Sequence, residues 1–110
     1  MAIPRSFEMY PQIIQIMSDE QIHSMNDLRT RCADMFRLTD EELAARTPGG
    51  YRTLYSDRFG RAMRNLKAAG LVSSPARGFF RLTELGDRAF DMGPEKIDVN
   101  YLRELTNNTE

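Results

Sequence analysis

Residues Ser56–Thr83, SDRFGRAMRNLKAAGLVSSPARGFFRLT, carry two periodicities in immediate succession. Phe59, Ala62, Met63, Leu66 and Ala69 recur at three- and four-residue intervals, which is the spacing of one apolar helix face. Gly70 closes that helix. Leu71-Val72-Ser73 and Phe79-Phe80-Arg81-Leu82 then read as two strands around the tight turn Ser74-Pro75-Ala76-Arg77-Gly78. Arg58, Arg61, Arg64, Asn65 and Lys67 fall off the apolar stripe, where long polar and cationic side chains can reach phosphates or base edges. A cationic helix running straight into a hairpin with a basic tip is the outline of a recognition helix and its wing, and it points to double-stranded DNA as the partner.

The charge distribution agrees. The chain as a whole has a formal net charge of -1, but Tyr51 to Arg81 holds Arg52, Arg58, Arg61, Arg64, Lys67, Arg77 and Arg81 against the lone acid Asp57, a local net of +6. Residues 1–50 sum to -3 and residues 82–110 to -4. One basic pole on an otherwise acidic body suits a module that presents a single face to a polyanion. A solvated helix face is the competing explanation for an isolated Arg-rich helix, and the adjoining wing argues against it. A protein–protein interaction domain, or a stand-alone regulatory winged helix, is the alternative function.

Length and composition bound the rest. At 110 residues the chain supports one modest core, and 41% hydrophobic with 28% charged residues is ordinary for a globular domain. No apolar run approaches the roughly 20 residues of a membrane span, and MAIPRSFEM lacks the apolar centre of a signal peptide, so a cytoplasmic protein without a membrane partner is expected. Cys32 is the single cysteine and His23 the single histidine, which leaves neither an internal disulfide nor a metal-ligand set. No cofactor and no catalytic activity are expected. A Cys32–His23 nucleophile pair is outweighed by the place of Cys32 on an apolar stripe, where it acts as a small hydrophobe.

Working outward toward the N-terminus, Ser6 is a cap for a first helix bearing Tyr10, Ile13, Ile14 and Met17, with Pro11 tolerated near its first turn. Gln21 to His23 is a brief edge strand. Ser24 with Asp27 resembles a capping box for a second helix, whose stripe is Met25, Leu28, Cys32, Met35 and Phe36. Thr39 with Glu42 caps a short helix to about Arg46, the acids Asp40-Glu41-Glu42 matching the positive end of its dipole, and Thr47-Pro48-Gly49-Gly50 is a turn. The Arg-bearing helix starts between Thr53 and Ser56. After the wing, Thr83 caps a last core helix with Leu85, Ala89 and Phe90, ended by Met92-Gly93-Pro94. In the wing, strand alternation sends one of Phe79 and Phe80 inward and leaves at most one free. Gly60, inside a helix, needs a reason, and close approach to the preceding helix or to DNA is the expected one.

The order of elements is that of a winged helix-turn-helix, a mainly α fold with a small β-hairpin, over residues 1–93. Residues 94–110 read as a linker or C-terminal extension with one apolar patch, Ile97, Val99, Tyr101 and Leu102. Two readings stay open for that patch: it packs back on the domain, or it mediates a homodimer.

The chain resembles the N-terminal domain of Mrr-type restriction endonucleases, enzymes that attack modified DNA. The resemblance covers nearly the whole length and is carried by Ile3-Pro4, Pro11, His23-Ser24, Leu38-Thr39-Asp40-Glu41-Glu42, Pro48-Gly49, Arg58-Phe59-Gly60 with Ala62, Leu66-Lys67-Ala68-Ala69-Gly70-Leu71, Ser74-Pro75-Ala76-Arg77-Gly78, Thr83 with Gly86, and Ile97-Asp98. It implies a winged helix that recognises DNA ahead of a separate nuclease domain. Nothing in the sequence arranges the carboxylates and lysine that a metal-dependent nuclease requires. Arg61 stands where the family usually has Trp, which removes an aromatic contact of packing or recognition. The expected reader is therefore the 54–69 helix with the 74–78 wing, through Arg52, Arg58, Arg61, Arg64, Asn65, Lys67, Arg77 and Arg81.

Overall fold

A computed structural model describes residues 3–107. The described residues form α1 (Tyr10–Ile16), β1 (His23–Ser24), α2 (Met25–Met35), α3 (Asp40–Ala44), α4 (Leu54–Ala68), β2 (Val72–Ala76), β3 (Phe79–Leu82), α5 (Glu84–Met92) and α6 (Val99–Asn107), with short 3-10 turns at Ser6–Met9, Met17–Asp19 and Pro94–Lys96. The strands make an antiparallel sheet in the order β1-β3-β2, pairing His23 with Phe80 and Val72 with Leu82. This is an α+β, winged-helix-like arrangement in which β2 and β3 form the wing.

Helix starts follow short-range capping chemistry. Thr39, Thr53 and Thr83 each accept a hydrogen bond from the backbone N–H three residues on, and Glu42 completes the box by accepting from Thr39 N–H at 2.8 Å. Ser24 also caps α2 through Asp27 N–H, but the box there stays half made, because the Asp27 carboxylate binds His23 and Arg31 instead. Ser6 is not the cap expected for the first helix. It opens a 3-10 turn in which Glu8 accepts from Arg5 N–H at 2.8 Å, and the α-helix begins at Tyr10. Pro11, lacking an N–H, is then in the first helical turn, where none is needed.

The core gathers Met9, Ile13, Ile14 and Met17 from the N-terminal turns and α1, Leu28 and Cys32 from α2, the whole apolar stripe of α4, Leu71, Val72 and Leu82 around the wing, and Ala89 of α5. Met35, expected in the α2 stripe, is exposed, whereas Ala33 is buried: the core-facing line of the helix runs from Leu28 and Cys32 toward Ala33 and leaves Met35 at its rim. Burial pushes the Cys32 thiol up to about 11, with a hydrogen bond from Tyr55 working the other way, so the thiolate is negligible at neutral pH.

The C-terminal segment continues as the 3-10 turn Pro94–Lys96 and α6 as far as Asn107. Ile97 is 1% exposed and Leu102 is buried, both in the common core, while Val99 stays exposed. Of the two readings of the apolar patch, packing back on the domain is therefore what Ile97 and Leu102 do. Residues 108–110 of that segment lie outside the described residues.

One glycine is dictated by packing. A Cβ built on Gly86 in α5 stands 2.2 Å from the carbonyl oxygen of Leu71, a backbone atom that cannot move aside. Gly60 has no such neighbour. Its Cβ would meet nothing nearer than the Arg64 guanidinium at 3.9 Å, so close approach to another helix is not what Gly60 serves.

Candidate nucleic-acid interface

Helix α4 is the centre of the basic pole. Its buried line, Tyr55, Phe59, Ala62, Met63 and Leu66, is wholly in the core, which turns the opposite side outward. Arg61, Arg64 and Lys67 are exposed on that outer side, each one helical turn from the next. Among the described residues none of the three has an ion-pair or side-chain hydrogen-bond partner. Arg61 is thus a surface position.

The flank of the same helix behaves differently. Arg58 is half-buried and donates from Nη1 to the carbonyl oxygen of Ile3 at 2.7 Å, tying down the N-terminal strand of chain. Asn65 donates from Nδ2 to the Tyr10 hydroxyl at 2.8 Å. Both were expected on the outer surface, and both are instead brackets between α4 and the N-terminal elements. Arg52 sits just before α4, 3.6 Å from the Asp57 carboxylate in the first helical turn. Asp57, Arg61 and Arg64 follow one another at four and three residues, so this pair places the Arg52 charge at the head of the cationic line.

The wing supplies the other two cations. Arg77 is exposed at its tip, beside Gly78 at φ +82°, a left-handed turn position that glycine adopts without strain. The ladder shifts register between Ser73 and Ala76, where Pro75 has no N–H to donate, and the Ser74 hydroxyl bridges the gap to the carbonyls of Ala76 and Phe79 at 2.8 and 2.9 Å. Met25 N–H donates to Gly78 O at 2.9 Å, fastening the tip to the start of α2. In β3 the alternation is as expected. Phe80 packs against the core and Leu82 is buried, while Phe79 and Arg81 face solvent. Arg81 therefore shares a sheet face with Phe79 and is not part of the α4 line.

A polar cluster that no local pattern announces lies at the root of the wing. His23 is buried on β1, and its Nδ1 and Nε2 lie 3.0 Å from Asp27 Oδ2 and 2.9 Å from Asp19 Oδ1. Satisfying both carboxylates requires both ring nitrogens to be donors, which is the imidazolium form. Burial alone pushes the His23 pKa down, but the hydrogen bonds and charges of Asp19 and Asp27 outweigh it and hold the group above its usual 6.5. Asp19 is held below 3.8, first by the Gln21 backbone N–H and then by His23, and Asp27 chiefly by its hydrogen bond to His23. With both nitrogens engaged, His23 has none left to activate Cys32. Among the described residues no group of three or more His, Cys, Asp or Glu side chains is placed to hold a metal ion, and no helix is long and apolar enough to cross a membrane.

No curated protein and no solved structure matches the chain. Residues 8–91, from the N-terminal 3-10 turn through α5 and therefore including α4, the wing and the His23 cluster, match the family model of the Mrr N-terminal domain. The chain belongs to the Mrr N-terminal domain family.

Proposed function

We propose that this protein is the DNA-recognition module of a restriction system, binding duplex DNA through the outer side of α4 and the wing tip and having no catalytic activity of its own. One observation carries the reading: Arg61, Arg64 and Lys67 stand unpartnered along the outer side of a helix whose opposite side is completely buried. A helix of α4's diameter fits the major groove, and guanidinium groups on its outer side reach guanine edges or phosphates there. Arg77 at the wing tip adds a backbone contact from the hairpin. Arg58 and Asn65 support the reader from behind, as positioning residues.

The free cations set the electrostatics. With Arg61, Arg64, Lys67 and Arg77 meeting phosphates or bases, log affinity falls against log salt with a slope of about -3 to -4, to which a phosphate contact by Arg52 adds about -1. A fluorescence-anisotropy titration of a random-sequence 20-base-pair duplex between 50 and 300 mM salt measures it. Affinity that does not change across that range contradicts the proposal.

A further inference from the structure

The loop between α3 and α4 is a built hairpin, not a bare connection. Arg46 and Thr53 form an isolated antiparallel bridge, Thr47 N–H donates to Arg52 O at 3.0 Å, Leu54 N–H donates to Ala45 O at 2.7 Å, and Gly50 N–H closes the turn on Thr47 O at 2.8 Å. Gly50 takes φ +72°, and the Arg46 guanidinium reaches across to the Gly50 carbonyl at 3.2 Å. This turn presents Tyr51, which is 94% exposed and, among the described residues, the most exposed of the large apolar side chains. One edge of the ring passes over Gly49, where a Cβ would stand 3.0 Å from Cδ2, a contact that the exposed ring could relieve by a small shift.

An exposed aromatic by itself means little, since single apolar side chains on surfaces are normal. Its setting gives Tyr51 meaning. The backbone of the hairpin is hydrogen-bonded across its turn, which fixes where Tyr51 leaves the chain while its ring stands in water. Its neighbour Arg52 is anchored by Asp57 at the head of the Arg61–Arg64 line, so the hairpin prolongs that line past the N-terminal end of α4. Loops held by a rigid framework are where contact residues concentrate. Aromatic rings on nucleic-acid-binding surfaces pack on base faces where these are unstacked, and in a paired duplex of any sequence the deoxyribose faces remain open to them.

We infer that the 45–54 hairpin is a third DNA-contacting element beside α4 and the wing, with Tyr51 laying its ring on the sugar or base face of a nucleotide beyond the N-terminal end of α4. This inference rests on the DNA-binding reading above. Arg52 supplies the phosphate contact next to it, and Tyr51 an apolar one.

The two contacts leave different signatures in one set of titrations, using the full chain, the 20-base-pair duplex and a series of salt concentrations. Tyr51→Ala weakens binding about ten-fold at every salt concentration and leaves the salt slope unchanged, because no counterion is released by a ring. Tyr51→Phe keeps the wild-type affinity. Arg52→Ala makes the slope shallower by about one. The same comparison on a duplex with one unpaired nucleotide assigns the contact: a larger Tyr51→Ala effect there means a base, an equal effect a sugar. Wild-type affinity in Tyr51→Ala, while the Arg61→Ala, Arg64→Ala variant binds weakly, overturns the role of the hairpin and leaves the α4 reading standing. A wild-type chain that does not bind the duplex overturns both.

Discussion

Two regions of α4 look alike as sequence and differ as structure. Arg61, Arg64 and Lys67 occupy the outer side of the helix and make no ion pair or side-chain hydrogen bond among the described residues, whereas Arg58 and Asn65, one face round, are bonded to Ile3 and Tyr10. All five lie off the apolar stripe, and all five were candidates for the same task. The difference teaches that periodicity separates the buried side of a helix from the rest, but does not separate the free side from a flank that distant segments come to cover. A cation on the free side is open to a partner and adds nothing to the fold; a cation on the flank is engaged in holding the fold together.

The largest effect expected breaks that comparison if it fails. Replacing Arg61, Arg64 and Lys67 together by Ala removes three contacts of about 1 kcal/mol or more each, a loss of roughly 100-fold in affinity for duplex DNA. The melting temperature should stay within a degree or two, because the three side chains make no intramolecular bond. Wild-type binding by the triple variant sinks the assignment of α4's outer side.

Next in size is a contrast between glycines. Gly86→Ala forces a methyl group into the Leu71 carbonyl and should destabilise the fold by about 1–3 kcal/mol, the usual range for overpacking. Gly60→Ala adds a methyl group on an open part of α4, replaces the poorest helix former short of proline, and should stabilise by up to about 1 kcal/mol. Chemical denaturation of both variants measures the two signs. If Gly60→Ala stabilises yet weakens DNA binding, the glycine serves close approach of the duplex; if affinity is unchanged, it is incidental.

Arg58→Ala sharpens the comparison from the flank. It removes a charge-assisted hydrogen bond to the Ile3 carbonyl, which is worth about 1.5 kcal/mol when partly buried. Stability should fall by that order in denaturant titrations, with the salt slope of DNA binding unaltered. A shallower slope with unchanged stability would return Arg58 to the outer side.

The distribution of what was readable follows the range of the interactions. Caps at Thr39 and Thr83, the start of α4 between Thr53 and Ser56, the turn at Thr47–Gly50, and the wing around Arg77-Gly78 depend on residues two to five apart, and each appears where the sequence places it. The Arg58–Ile3 and Asn65–Tyr10 bonds each join residues 55 positions apart, and no local pattern announces them. The packing of Ile97 and Leu102 into the core was legible as an apolar patch but not as a destination. His23 was read beside a helix cap. Its partners stand four residues away on either side, yet they are brought together by a 3-10 turn, a strand and a helix in succession, so the spacing resembles no helical pair. Gly60 invited a packing explanation that belongs to Gly86, because a glycine's neighbours across the fold are invisible in sequence.

The smallest effect expected comes from the root of the wing, where the comparison can be repeated with a charge that titrates. His23 on β1 pairs with Phe80 on β3, so its imidazolium, held between Asp19 and Asp27, lies under the strand that carries the wing. Because the folded pKa is raised above 6.5, protonated His23 contributes stability that is fully present below the unfolded value and is lost as pH rises through the folded one. The carboxylates work in the opposite sense: their lowered pKa values contribute stability above 3.8 that is lost as pH falls. Stability should therefore be greatest in weakly acidic solution and decline through neutrality, by a modest amount, since both carboxylates are largely open to solvent and screened. Melting curves from pH 5 to 9 on the wild type and on His23→Gln test this. The wild type should lose melting temperature as pH rises while His23→Gln stays level over the same window; a wild-type profile that is flat or rises there would show that the imidazolium does not hold the wing. The outer side of α4 would be unaffected by that failure, since the bonds of the His23 cluster run to Asp19 and Asp27 and include neither Arg61 nor Arg64.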